Sequence, residues 1–187
     1  NNVSTKSTMH VYNAKVIVDQ IVPIDQEFTP DADWFSLYGG SGTQEQQGQS
    51  FTAGVSGTLT NVELSLEKTS SPTDNLTLEV RSGSITGTVI ATSDSVAASS
   101  APASAAFVNF SFSTPASISN GTQYWMILSR SGARDTANFI EWHGNNGSGS
   151  LSGGTQWTID NSTWTEDTFS DLAFKAHVGS LSLLEPQ

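Results

Sequence analysis

The chain has no cysteine. Disulfide scaffolds and cysteine-ligated zinc sites are therefore excluded. Charge is scarce: 13% of the 187 residues are ionic, about half the usual share. Bases are scarcer still, with seven Lys and Arg against eighteen Asp and Glu and a net charge of −11. Proteins that grip nucleic acid through its phosphates need a positive face. Seven bases cannot build a large one, so no nucleic-acid partner is expected. No apolar run approaches the ~20 residues of a membrane-spanning helix, and no membrane insertion is expected. Straight-chain helix formers are few, which disfavours a helical bundle.

What the chain does have is Ser and Thr, 50 residues together, and 16 Gly. Neutral hydroxyl and amide groups keep a surface soluble without charge, and low charge density suits a salty medium that screens ion pairs. Both features point outside the cell, to an extracellular or virion-surface setting. Asn-X-Ser/Thr triplets stand at Asn2, Asn75, Asn109, Asn120, Asn146 and Asn161, as the Ser- and Thr-rich composition makes common.

Short runs of period two dominate the middle of the chain. Val62, Leu64 and Leu66 alternate with Glu63, Ser65 and Glu67. Leu76, Leu78 and Val80 alternate with Thr77, Glu79 and Arg81, and Val108, Phe110 and Phe112 with Asn109 and Ser111. Leu172, Phe174, Ala176 and Val178 alternate with Lys175 and His177. That alternation predicts half-buried strands. The run Gln123–Leu128 is continuously apolar, as a central strand requires, and Trp125 within it is expected in the core. Residues 136–143 and 156–160 are further strand candidates. Connectors such as Ser71-Pro72-Thr73-Asp74, Asn120-Gly121 and the Gly-rich stretch 144–154 carry turn chemistry. Residues 31–48, with Trp34, Phe35 and Tyr38, read as a loop. The expected fold is an all-β antiparallel sandwich, jelly-roll-like, spanning residues 28–178. Residues 1–27 form a β-prone N-terminal arm, and residues 179–187 an apolar tail. The arm is either an outer strand of its own sheet or a strand for a neighbouring subunit.

Several of these strands form a recognisable series. Gln49-Ser50-Phe51-Thr52-Ala53 comes first, then Gly57-Thr58-Leu59-Thr60-Asn61-Val62-Glu63-Leu64. Leu76-Thr77-Leu78-Glu79-Val80-Arg81 and Gly87-Thr88-Val89-Ile90-Ala91 follow. Phe110-Ser111-Phe112 precedes Pro115, and Gly121-Thr122-Gln123-Tyr124-Trp125 precedes Ile127-Leu128. This order resembles the choice-of-anchor type of β-sandwich domain, found in exported bacterial proteins and some phage structural proteins. The resemblance covers residues 45–178. It implies an extracellular or virion-surface module with no chemistry of its own.

Four constellations are candidates for function. Trp142, Trp157 and Trp164, with Asn145, Asn146 and Gln156 among them, offer flat aromatic faces beside amides, the pattern that suits a carbohydrate ligand. The competing role is packing. Asp31, Asp33, Asp160, Asp167 and Asp171 are candidate oxygen ligands for a structural Ca2+, although none follows an EF-hand spacing, and turn-capping Asp residues look the same. Carboxylates near Glu141 and Glu166 are expected to be solvated, and no Gly-X-Ser-X-Gly elbow is present, so no enzyme is expected. At the two ends, Val11, Val16, Ile17 and Val18 are placed to pair with another subunit, and Leu181, Leu183 and Leu184 to cover an apolar seam.

Two functions follow. The first is a non-enzymatic structural or surface-display subunit of an extracellular assembly, such as a phage virion or a bacterial surface filament, joined to itself or other subunits through its ends. The second is a carbohydrate-binding module, with or without calcium.

Overall fold

The computed structural model describes residues 22–30, 32–37, 46–147, 151–160 and 163–179, without the side chains of Trp34, Ser36 and Asp160. The arm residues Val11, Val16, Ile17 and Val18, the tail residues Leu181, Leu183 and Leu184, and Asp31 lie outside the described residues.

Two seven-stranded antiparallel sheets pack face to face. The first holds β1 (Ile24–Phe28), β2 (Asp33–Leu37), β4 (Gly57–Thr69), β8 (Ala106–Ile118), β10 (Phe139–Asn146), β13 (Ser170–Leu172) and β14 (Phe174–Gly179). The second holds β3 (Gln46–Thr52), β5 (Asn75–Ser82), β6 (Thr88–Thr92), β7 (Val96–Ala97), β9 (Gln123–Arg130), β11 (Gln156–Asp160) and β12 (Thr163–Asp167). The path in the first sheet is β1-β14-β4-β10-β13, with β8 beside β4 and β2 beside β10. In the second it is β12-β11-β3-β9-β5-β6, with β7 beside β5. The chain changes sheet repeatedly, so most paired strands are far apart in sequence. No helix of the described residues is long and apolar enough to cross a membrane.

Alternation decides which face is buried. Val62, Leu64 and Leu66 of β4, Leu76, Leu78 and Val80 of β5, and Phe174, Ala176 and Val178 of β14 are all buried, as their spacing predicts. Phe51 of β3 lies at the centre, 5.9 Å from the Tyr124 ring and 5.7 Å from the Phe174 ring, so it joins the two sheets. Burying such a side chain is worth about 1.5–3 kcal/mol.

Two expectations need correction. Trp125 is not a core residue. It is half-buried and pairs with Ser50 and Arg81, while its neighbours Tyr124 and Met126 take the core face. The central strand β9 is buried on both faces only at Met126–Leu128, where Ile127 meets Gly48 across the ladder. The supposed loop 31–48 contains β2, whose Phe35 and Leu37 pack on the core. A five-residue strand with a polar start leaves little period to read. Residues 24–27 of the arm belong to β1, which pairs with β14 in the domain's own sheet, the first of the two arrangements expected for the arm. Pro23 and Val22 are tied in as well, accepting from the Val178 N–H at 3.1 Å and approaching the His177 ring at 3.3 Å.

Candidate functional site

Between β2 of the first sheet and the β11–β12 hairpin of the second lies a cleft of about 400 Å³. Phe35 of β2, Gln156 and Thr158 of β11, and Thr165, Glu166 and Asp167 of β12 line it, with Thr168 and Phe169 from the turn that follows. Residues 156 and 158 share a face because strand side chains alternate. Their neighbour Trp157 points the other way, its Cβ side against Gly48 on the outside of the sheet.

The floor of the cleft is polar and the walls are aromatic. Gln156 is 1% exposed, and its Oε1 has no hydrogen-bond partner among the described residues. A buried acceptor left open costs about 1–3 kcal/mol unless a ligand or water supplies a donor. Phe169 is 72% exposed, although it is a large apolar side chain. Its position is held: Asp167 Oδ1 accepts from the Phe169 N–H at 2.9 Å, Asp167 Oδ2 accepts from the Ser170 hydroxyl at 2.8 Å, and the Phe169 carbonyl accepts from Gly147 N–H at 2.9 Å. This is an Asp-initiated turn that leaves the ring at the mouth of the cleft.

Behind the cleft, Gln49 and Asp171 clamp the two sheets. Gln49 Nε2 donates to Asp171 Oδ1 at 2.7 Å, Gln49 Oε1 accepts from Leu172 N–H at 2.7 Å, and Asp171 Oδ2 accepts from Leu151 N–H at 2.8 Å. Burial pushes the Asp171 carboxyl above its ordinary range. The bonds from Gln49 and Leu151 oppose that shift, and the nearby Asp167 charge adds to it.

The aromatic group expected from the sequence is only partly assembled. Trp142 does not belong to it: the side chain is wholly buried, and its indole N–H donates to the Ala173 carbonyl at 2.9 Å. Trp142 shares the core face of β10 with Ile140, where no ligand reaches. Trp157 and Trp164 are half-buried on neighbouring strands of the hairpin, Trp157 donating to Thr155 Oγ1 at 3.0 Å and Trp164 pairing with Ile159. They occupy the outer face, on the opposite side of the hairpin from Gln156. Asn145 pairs with Asp171 and Asn146 with Ser170, on the β10–β13 ladder next to the cleft turn.

Of the five Asp candidates for calcium, Asp33, Asp167 and Asp171 have described side chains, and each accepts hydrogen bonds. Asp33 Oδ2 accepts from Asn146 N–H at 2.8 Å, Asp167 holds the Phe169 turn, and Asp171 is committed to Gln49 and Leu151. These are turn and strand caps, the competing role for such residues. Asp160 lies at the end of β11, its side chain outside the description. Phe35, Thr158, Thr165 and Phe169 were not singled out from the sequence. A Phe inside the turn Asp167-Thr168-Phe169-Ser170 is the signal that was available, since turns seldom need a large apolar ring.

No protein-family model matches the chain, and no curated protein matches it.

Proposed function

We propose that the protein is a non-enzymatic carbohydrate-recognition module that works outside the cell. The observation that carries this reading is the buried, unpartnered Gln156 Oε1 lining a cleft walled by Phe35 and Phe169. A saccharide presents hydroxyl donors to such an acceptor and C–H faces to such rings, and the Thr158 and Thr165 hydroxyls both donate and accept. The charge of Asp167 at the rim, with Glu166 beside it on the strand, repels uronates and sialylated glycans and leaves neutral sugars as the favoured class. Hydrolysis needs two carboxyls facing each other across the scissile bond. Glu166 and Asp167 are adjacent on one strand and alternate in direction, and both Asp167 oxygens are engaged by the turn.

The test is glycan-array screening followed by calorimetry on wild type and Phe169→Ala. Phe169 is exposed, so its loss leaves folding intact. Affinity for a neutral glycan should fall at least about tenfold, the worth of a contact near 1.4 kcal/mol. Binding that is unchanged in Phe169→Ala, or an array with no neutral-glycan signal, defeats the proposal.

A second reading, a structural or display subunit of an extracellular assembly, is favoured by one feature. β1 is paired on one side, with β14, among the described residues. Its other backbone edge, unpaired among the described residues, suits strand addition from a second chain. The two readings are compatible, since a display subunit can carry a recognition cleft. The choice-of-anchor resemblance supports the extracellular setting of both.

A further inference from the structure

On the outer face of the first sheet, far from the core, β4 and β10 bring three ligating side chains together. Glu141 and His143 are two residues apart on β10 and share a face. Glu67 of β4 stands directly opposite Glu141 in the ladder. Like charges directly opposite on paired strands are destabilising, so the fold here holds two carboxylates where one would be easier to place. His143 is 7% exposed, and its Nε2 lies 3.1 Å from Glu67 Oε2. One ligand atom from each of the three residues falls within 4.8 Å of the other two.

We propose that Glu67, Glu141 and His143 form a binding site for a divalent transition-metal ion of the zinc type. The donor set chooses the metal. An imidazole nitrogen with two carboxylate oxygens suits Zn2+, whose bonds to such atoms are about 2.0–2.2 Å and whose preferred geometry is tetrahedral. Ca2+ takes six to eight oxygens and has no use for the imidazole. At tetrahedral angles those bond lengths put ligand atoms roughly 3.3 Å apart. The His143–Glu67 pair already has that spacing, and a rotamer adjustment of the other Glu completes it. Three protein ligands leave a fourth position open to solvent on the sheet surface. The strands are interior members of the sheet, β4 flanked by β14, β8 and β10, and β10 by β4, β2 and β13. The backbone that carries the ligands is therefore braced on both sides before any ion arrives, so little ordering entropy is lost on binding. The dication turns the Glu67–Glu141 repulsion into shared ligation.

This site is independent of the cleft and of the carbohydrate reading. The experiment is isothermal titration of the full chain with ZnCl2 in a buffer free of chelator, with CaCl2 as the comparison. One Zn2+ per chain is expected, with a raised Tm in excess metal, and no heat from Ca2+. Glu141→Gln and His143→Gln should each weaken the zinc binding at least about tenfold. His177→Gln, which alters the other His–Glu pair on the same face, and Phe169→Ala should leave it unchanged. His143 is buried, so circular dichroism accompanies each variant, and the half-exposed Glu141→Gln decides the matter if His143→Gln misfolds. Equal zinc affinity in wild type and Glu141→Gln, loss of binding in His177→Gln, or no zinc binding by the wild type overturns the proposal.

Discussion

Arg130 shows how far one side chain reaches. Its Nε and Nη2 grip the two Asp74 oxygens at 2.8 and 2.7 Å, while Nη1 donates to the Leu37 carbonyl at 3.2 Å and Nη2 to the Asn138 carbonyl at 3.1 Å. Asp74 Oδ2 also accepts from Gly132 N–H at 3.1 Å. One planar fork thus ties the end of β9 to the end of β2, the turn before β5 and the loop before β10, which lysine could not do. The pair is 3% and 11% exposed. Burial by itself would raise the Asp74 carboxyl, but the Arg130 hydrogen bond and charge, with the Gly132 amide, hold it below its ordinary range. Arg130→Met should therefore cost about 3 kcal/mol in urea unfolding at neutral pH, the low end for breaking a buried pair because the carboxylate keeps an edge to water. The sign of its pH dependence is set. Asp74 has a depressed folded pKa, so its stabilisation is present above the ordinary carboxylate range and is lost as pH falls through the folded value. The gap between wild type and Arg130→Met should then narrow in acid. A gap that stays constant to pH 2 would show that Asp74 is not the partner that matters.

At the scale of elements, the close approach of β10 to β13 governs the end of the sandwich that carries the cleft. A Cβ on Gly144 would sit 2.2 Å from the Asp171 carbonyl oxygen and 2.9 Å from the Leu172 Cα, both backbone atoms. Neither can yield as a flexible side chain could. Gly144→Ala must push β13 away, which strains the Asp171–Gln49 clamp and the turn that holds Phe169. A loss of about 2–3 kcal/mol is expected, within the usual range for overpacking, together with weaker glycan binding. Gly83→Ala serves as the control: its Cβ meets nothing within 4 Å, so any cost comes from its φ of +86° alone. Comparable binding in wild type and Gly144→Ala would separate the cleft from this ladder. The β11–β12 hairpin carries both faces of interest, Gln156 inward and Trp157 outward, because alternation forbids neighbouring residues from sharing a side.

For the whole molecule, the repeated changes of sheet make most strand pairs non-local, and chains of that kind fold slowly, on the order of milliseconds to seconds. The sheet edges matter in the same way for assembly. If the residues ahead of β1 join chains together, deleting residues 1–21 should leave a folded monomer by light scattering. Removal must stop before Val22, because Val22, Pro23 and Ile24 are bound into the sheet through His177 and Val178. A truncated protein that still assembles would place the contact elsewhere. The net charge of −11 keeps separate modules soluble and steers them away from anionic partners.

Much of the fold could be read directly from residue order. Period two in β4, β5, β8 and β14 says which side chains are buried, because a strand buried on one face has no other stable arrangement. Scarcity of helix formers says that the chain is not a helical bundle. Sites were less legible, for a physical reason. Phe35 lies more than a hundred residues before Gln156 and Phe169, and the three line one cleft only because the two sheets pack against each other. Glu67 lies 74 positions from Glu141, yet pairing of β4 with β10 makes them direct neighbours. Trp125 and Trp142 sit in similar apolar runs, and strand register alone sends one outward and the other into the core. Residue types and their alternation dictate that a sandwich forms and what its surface avoids. Which residues face one another across a cleft or a ladder depends on register and sheet geometry, and these exist only once the chain has closed on itself.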